Sequence, residues 1–227
     1  MESNIRRNIM ASITGLANIQ KLIERPSHSD GPKARWLKLE DGQSVKIRFL
    51  NEVDPDSKSY SKEMGLAIVI AEHTNPKDYR RKALCSMEEE GKCYGCEMHR
   101  RDPKAGWKAR LRYYTNVLVD EGNGEQYTAI WSQGVGPKSP TTTTIIEYAS
   151  DTGGISNVIW RLKRNGTGTL TSYSLFPVAT DEKPFDFTGI ETYELEKTAT
   201  RQVKYAEQES FFMGLETEET ASASVDW

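Results

Sequence analysis

The segment HTNPKDYRRKALCSMEEEGKCYGCEMH, residues 73–99, contains all three cysteines of the chain and two of its three histidines. Cys93-Tyr-Gly-Cys96 is a CxxC motif, in which both sulfur atoms can face one point while Gly95 permits a tight turn beneath them. Cys85 lies upstream and can supply a third thiolate. Because structural zinc is almost always tetrahedral, a fourth ligand is needed, and His73 or His99 can provide it.

Three interpretations of these cysteines are open: a structural zinc site, unreactive buried thiols and a redox pair. A redox CxxC usually follows a strand and opens a helix in a βαβ unit, and that pattern is not visible here. Three cysteines cannot all pair within one chain, and disulfides are rare in cytosolic proteins. We favour a closed Cys3His site with structural Zn²⁺ bound by His73, Cys85, Cys93 and Cys96. His99, one helical turn beyond Cys96, is the rival fourth ligand.

The charge of the chain is distributed unevenly. Residues 1–180 contain 26 Lys and Arg against 21 Asp and Glu, whereas residues 181–227 contain 4 against 12. A basic body with an acidic tail is expected when the tail shields the binding surface of the body or mimics its ligand. The alternative is a solvated, disordered terminus that has no function. No apolar run of membrane-spanning length and no secretory signal occur, so we expect a cytoplasmic protein without a membrane partner.

The sequence divides into three parts. Residues 1–26 predict an amphipathic helix that Ser3 can cap, and its apolar face can pack on its own body or on a neighbouring copy, which would allow self-association. Its apolar residues recur at helical spacing: Ile5, Ile9, Ile13, Leu16, Ile19 and Ile23. Residues 30–180 form the body, into which the zinc subdomain around 73–99 is inserted. Residues 181–227 are predicted to be an acidic, partly disordered tail with a short helix.

Short alternating strands and Gly-rich turns predict a mainly β (α+β) fold for the body. We expect hairpins joining 36–39 to 44–50, 113–119 to 126–131, and 158–164 to 170–176, and a helix that starts at Ser139-Pro140. Five to seven strands with a late helix suit an OB-fold barrel, with a β-sandwich as the alternative.

The segment after the cysteines combines positive charge with aromatic rings. Binding of single strands requires Lys and Arg to neutralise phosphates and aromatic faces on which unpaired bases stack. Tyr113 and Tyr114 are adjacent on a strand and should face opposite sides, and each ring is alternatively a core residue. The candidate nucleic-acid contacts are Arg80, Arg81, Lys82, Arg100, Arg101, Lys108, Arg110, Arg112, Tyr113, Tyr114 and Trp131. The strands around Trp160-Arg161, Lys163-Arg164, Tyr173 and Phe176 offer further cations and rings.

Motifs of catalysis are missing from the sequence. There is no P-loop, HExxH or GxSxG motif. Zinc deaminases combine an upstream H-x-E with PCxxC, whereas here Thr74-Asn75 follows His73 and Lys92 precedes Cys93. We therefore expect no enzymatic activity. A zinc-stabilised adaptor for replication or transcription proteins, without affinity for DNA, is the alternative to a DNA-binding protein.

The order His73, Cys85, Cys93, Cys96, followed by the basic YYTNVLV strand, resembles the zinc-containing single-stranded-DNA-binding proteins of T-even and related tailed bacteriophages. The similarity covers roughly residues 30–180 and includes WLKLEDGQSVKIRFL and GTGTLTSYSLFPV. It implies an OB fold with a zinc subdomain, bound by these four residues, that coats single-stranded DNA during replication, recombination and repair. It also implies that the acidic tail recruits replication or recombination proteins. The N-terminus departs from the family, which has a short basic arm there.

Overall fold

The computed structural model describes residues 34–122, 124–136, 139–180 and 185–215. The predicted N-terminal helix and the last twelve residues of the acidic tail lie outside these ranges. Seven strands are present in the described part of the chain: β1 (Ser44–Phe49), β2 (Ile68–Asn75), β3 (Asp78–Leu84), β4 (Arg110–Asp120), β5 (Gln126–Gly134), β6 (Val158–Asn165) and β7 (Ser172–Thr180). The helices are α1 (Met87–Glu90), α2 (Tyr94–Arg101), α3 (Pro140–Thr152), α4 (Leu195–Ala199) and α5 (Tyr205–Met213).

The strands form one antiparallel sheet in the order β3-β2-β4-β1-β6-β7, and β5 pairs with β4 as well. The long strand β4 organises this sheet, because its residues 110–114 pair with β2 and its residues 117–120 pair with β1. The mainly β class is confirmed. The sheet is not closed, so an OB-fold barrel is not confirmed.

The turn chemistry of the sequence accounts for most of the pairing. The predicted hairpins β4–β5 and β6–β7 and the helix beginning at Pro140 are confirmed. The predicted hairpin joining 36–39 to 44–50 is wrong, because β1 uses one edge for β4 and the other for β6. Trp36 instead makes an isolated parallel bridge to Ile130 of β5.

Two clusters of apolar side chains lie on opposite faces of β4. Tyr113 belongs to the main core, together with Phe49, Trp131 and Trp160. Tyr114 belongs to a smaller cluster with Ile130 and Leu195. The prediction that the two tyrosines face opposite sides is therefore confirmed, and alternation along a strand is the physical reason.

Residues 185–215, here called the C-terminal segment, belong to the same compact unit as the sheet. The short helix expected in the acidic, partly disordered tail corresponds to α5, and the body extends beyond the predicted boundary at residue 180. Phe211 and Phe212 are buried with Tyr94 and Trp107, next to the cysteines. The apolar residues of α5 are few, but they are bulky and lie where β3 and α2 leave apolar surface uncovered. None of the helices in the described ranges is long and apolar enough to span a bilayer.

Candidate metal centre and nucleic-acid interface

Four side chains converge at one point next to the sheet. His73 comes from β2, Cys85 follows β3, and Cys93 and Cys96 stand at the start of α2. The four ligand atoms all lie within 4.8 Å of one another. Sγ of Cys96 is 3.3 Å from Nε2 of His73 and 3.5 Å from Sγ of Cys85. Ligands bound tetrahedrally at about 2.0–2.3 Å are about 3.3–3.8 Å apart, so the group fits a metal ion and is compatible with zinc.

The histidine is oriented by the main chain. Its Nδ1 donates a hydrogen bond to the carbonyl oxygen of Trp107, at 2.7 Å, so that Nε2 points toward the sulfur atoms. Metal-binding histidines commonly use their second nitrogen in this way, which fixes both tautomer and ring orientation. His73 is only 1% exposed. The ring is therefore held in place before any ion binds.

Gly95 of the CxxC motif is required for a steric reason. A Cβ atom at this position would lie 2.3 Å from Cγ of His73, closer than two nonbonded carbon atoms can approach. The backbone of Gly95 is not in the left-handed region, so conformation alone would allow another residue. The glycine is needed because the imidazole ring lies directly against the turn.

The three thiols differ in acidity. Burial raises the pKa of the Cys85 thiol and raises that of Cys96 to about 12. Burial also opposes ionisation of Cys93, but interaction with the His73 ring and hydrogen bonds from backbone N–H groups outweigh it and lower the pKa of this thiol to about 6. A cation would neutralise the charge that accumulates when all three thiols ionise.

His99 lies outside this group. The structure assembles the four residues favoured from the sequence, and His99 of α2 is not among them. Its Nδ1 is buried and has no hydrogen-bond partner among the described residues. Of the two candidate histidines, His73 is therefore the one that the fold places beside the cysteines as a possible fourth ligand.

The C-terminal segment holds the turn that carries the cysteines. Gln208 of α5 is fully buried; its Oε1 accepts from the Tyr94 backbone N–H at 2.8 Å, and its Nε2 donates to Ser86 Oγ at 2.9 Å. Asn75 donates to the carbonyl oxygen of Phe212 at 2.7 Å. The amide of Gln208 thus links both sides of the cysteine turn to a helix more than a hundred residues later in the chain.

A cleft rich in positive charge lies elsewhere on the sheet. This cationic cleft has a volume of about 280 Å³, and Lys82 and Arg112, both predicted from the sequence, line it. Its other charged or aromatic lining residues are Trp36, Lys38, Arg164 and Tyr173. No Asp or Glu is among the described residues that line it. Two rings and four cations therefore surround one open groove.

Arg112 is fixed in place by the buried carboxylate of Glu72. Nε of Arg112 lies 2.9 Å from Glu72 Oε1, and Nη1 donates to Ser132 Oγ at 3.3 Å. Oε2 of Glu72 accepts from the Tyr114 hydroxyl at 2.8 Å. Burial lowers the pKa of the neighbouring Lys82, and the positive charge of Arg112 lowers it further. The base of the cleft is thus a preorganised array of charges.

A second cleft continues from the first. This neutral cleft has a volume of about 650 Å³ and shares Arg112, Ser132 and Tyr173 with the cationic cleft. Arg112 is the one charged residue among its described lining residues. The others are hydroxyl side chains, one amide, two apolar residues and two glycines: Gln133, Gly134, Val135, Gly136, Ser139, Pro140, Thr141, Thr171 and Ser172.

The other predicted basic contacts are not brought into either cleft. Arg81 donates to the carbonyl oxygen of Phe211 and so binds the C-terminal segment. Arg80 pairs with Asp78 at the surface. The remaining predicted cations are exposed or, like Arg100 and Arg101, bonded within α2, and none lines either cleft: Arg100, Arg101, Lys108 and Arg110.

The three predicted stacking rings require a correction. Tyr113, Tyr114 and Trp131 are 4%, 0% and 1% exposed, so none offers a ring face to a base. They lie in the core because β4 and β5 are covered on both faces. Two of them support the rings that do line the cleft: Tyr114 contacts Trp36 edge to face at 6.2 Å, and Trp131 contacts Tyr173 at 5.9 Å.

Two cleft residues, Trp36 and Lys38, were not among the predicted contacts, whereas Arg164 and Tyr173 lie on strands that were expected to offer further cations and rings. Arg164 and Tyr173 are cross-strand partners in the β6–β7 hairpin, so the predicted turn contained a signal for them. Trp36 and Lys38 had none, because their segment was assigned to a hairpin that does not form.

No family model, no curated protein and no solved structure matches this chain.

Proposed function

We propose that the protein binds single-stranded DNA without sequence preference and that a structural Zn²⁺ ion stabilises its fold. The cationic cleft carries the proposal, because it combines four cations with two rings and no carboxylate along its lining. Cations neutralise phosphates without regard to sequence, and aromatic faces accept any unpaired base. The resemblance noted in the sequence supports the same function.

The metal has a structural role in this proposal. His73, Cys85, Cys93 and Cys96 would hold Zn²⁺, and four protein ligands leave no position for a reacting water. The ion would fix the end of β3, the strand that carries Lys82 into the cleft. We therefore propose a binding role for the protein and not an enzymatic one.

Coating of single strands in replication, recombination and repair extends the proposal through the resemblance, as does a cytoplasmic location in a bacterial host. Recruitment of partner proteins by the acidic tail and self-association through the N-terminal helix belong to the same extension. These steps involve residues 1–26 and 216–227, which lie outside the described residues.

The proposal is tested by comparing two exposed lysines. Affinity for oligo-dT is measured at several salt concentrations for the wild-type protein, for Lys38→Ala in the cleft and for Lys197→Ala in α4. We expect Lys38→Ala to weaken binding and to reduce the magnitude of the salt slope by about 0.7–1, because one phosphate contact is lost. Lys197→Ala should match the wild type, since this lysine pairs with Glu194.

Two results would contradict the proposal. Affinity that does not respond to salt would exclude phosphate neutralisation as the source of binding. Equal effects of the two substitutions would show that the cleft is not the interface. Absence of oligonucleotide binding together with capture of replication or transcription proteins would favour the adaptor alternative.

A further inference from the structure

Two glycines lack the usual reasons for being glycine. Among the described residues, every glycine except Gly95, Gly134 and Gly136 has a positive φ angle. Gly95 is required by the His73 ring, but a Cβ atom added at Gly134 or Gly136 would meet nothing within 4 Å. Neither backbone conformation nor packing within the described chain explains these two positions. Glycine at such a position leaves room for another molecule to approach the main chain closely.

Both glycines line the neutral cleft. Gly134 is the direct cross-strand partner of Arg112 in the β4–β5 pair, so the empty space at 134 lies beside the base of the arginine side chain. The cleft is therefore open down to the main chain next to a cation that faces both clefts.

The chemistry of the two clefts differs. The cationic cleft suits an anion, whereas the walls of the neutral cleft present hydroxyl groups and the Gln133 amide. Nε2 of Gln133 donates to Thr142 Oγ1 at 2.9 Å, and Thr141 Oγ1 donates to the Tyr173 carbonyl oxygen at 2.7 Å. These contacts fix the polar groups of the wall. A nucleotide has the same two parts: an anionic phosphate and a flat, uncharged base with hydrogen-bonding edges.

We propose that the neutral cleft is the base-binding half of the interface. Unpaired bases lie against the main chain at Gly134 and Gly136, with their edges toward Ser132. The phosphates then follow the cationic cleft, and Arg112 stands at the boundary. The inference rests on the proposed function and adds which part of the nucleotide each cleft receives. It also accounts for a preference for single strands, since bases must be unpaired to enter.

The test fills the empty space at Gly134. Gly134→Val should fold normally, because valine suits an exposed strand end and meets no neighbour. Gln126→Val, at the opposite end of β5, is the matched control. Affinities are measured at low salt for oligo-dT and for an abasic oligonucleotide of equal length. We expect Gly134→Val to weaken oligo-dT binding about tenfold or more and to leave abasic binding unchanged, with Gln126→Val altering neither. Gly136→Val, measured in parallel, should behave in the same way.

The other possible results of these affinity measurements each contradict one part of the proposal. Unchanged oligo-dT affinity in both glycine variants would show that bases do not enter the neutral cleft. Equal losses for oligo-dT and the abasic strand would show that the substitutions act on phosphate binding through Arg112. If the wild-type protein binds neither strand, the proposed function itself fails; if it binds both equally, only the base-binding inference fails.

Discussion

The indole of Trp131 and the ring of Tyr173 meet edge to face at 90°, with their centroids 5.9 Å apart. Trp131 is buried in the main core, whereas Tyr173 is half-buried and lines both clefts. Trp131, which the sequence suggested as a stacking ring, thus supports Tyr173, and Tyr173 can itself stack on a base. Such edge contacts contribute about 0.5–1.5 kcal/mol beyond area burial and fix the orientation of the outer ring.

Removal of the outer ring should reduce binding more than stability. We expect Tyr173→Leu to weaken oligonucleotide binding by about 1–3 kcal/mol, because one stacking surface is lost. Tyr114→Phe should leave affinity unchanged and lower the free energy of unfolding by about 1–3 kcal/mol, because it removes the hydrogen bond to Glu72. Affinity measurements and urea denaturation of both variants check this prediction. If Tyr114→Phe weakened oligonucleotide binding more than Tyr173→Leu did, Tyr114 and not Tyr173 would belong to the interface.

The metal centre should depend on one histidine and not on the other. We expect the purified protein to carry one zinc ion per chain, His73→Ala to lose it, and His99→Ala to retain it, because His73, unlike His99, lies with the cysteines. Elemental analysis of the three proteins measures the zinc content. Zinc retained by His73→Ala and lost from His99→Ala would reverse the assignment.

Two glycines near the cysteines provide a matched pair. Gly91 has a positive φ of 66° and open space around its α-carbon, whereas Gly95 has an ordinary backbone and no space. We expect Gly91→Ala to cost about 1 kcal/mol through backbone strain and to keep the metal. Gly95→Ala should lose the metal, because the added carbon displaces His73. Unfolding free energies and zinc content distinguish them; intact zinc binding in Gly95→Ala would contradict the steric argument.

Binding should weaken at alkaline pH. Burial and the charge of Arg112 lower the pKa of Lys82, so this cation loses its proton at a lower pH than an exposed lysine does. As the pH rises through that pKa, the positive charge in the cleft falls and phosphate binding weakens. Lys82→Arg should remove this pH dependence, because guanidinium stays protonated. Affinity for oligo-dA measured from pH 7 to pH 10 checks it; identical profiles for the two proteins would exclude Lys82 as the cause.

The C-terminal segment should stabilise the turn that carries the cysteines, through Gln208 of α5. Gln208→Ala leaves the Tyr94 N–H and Ser86 hydroxyl without their buried partner, so we expect a loss of about 1–3 kcal/mol in unfolding free energy. Gln202→Ala removes a bond to Glu89 at the surface and should cost less than about 0.5 kcal/mol. Chemical denaturation of both variants measures the difference. Equal stabilities would mean that α5 does not support the cysteine turn.

The sequence predicted those features that depend on local chemistry. The three cysteines of the metal site, the β4–β5 and β6–β7 hairpins and the helix at Pro140 follow from spacing and turn residues. Spacing left both His73 and His99 as the fourth ligand, and the fold brings His73 to the cysteines. The sheet order could not be predicted, because pairing of β1 with β4 and β6 is decided by burial over long sequence distances. For the same reason, Trp36 was assigned to a hairpin although it bridges to Ile130.

The sequence predicted which kinds of residue would line the cleft, cations and aromatic rings, but only some of the individual positions. Lys82 and Arg112 were identified from their charge, but charge alone could not show that Arg81 would bind the carbonyl of Phe211. The sequence does not show whether an aromatic residue on a strand lies on a buried or an exposed face of the sheet. The cover over Tyr114 comes from Trp36 and from α4, which lie far from it in the chain.

The hydrogen bond between Asn75 and Phe212 spans 137 residues of sequence. On a ribosome, all four ligands are synthesised by residue 96, long before α5 emerges. A nascent chain must therefore leave Tyr94 and Trp107 without their contacts to Phe212 until that residue has been synthesised. Premature termination within that interval would leave these two rings without the cover that α5 provides.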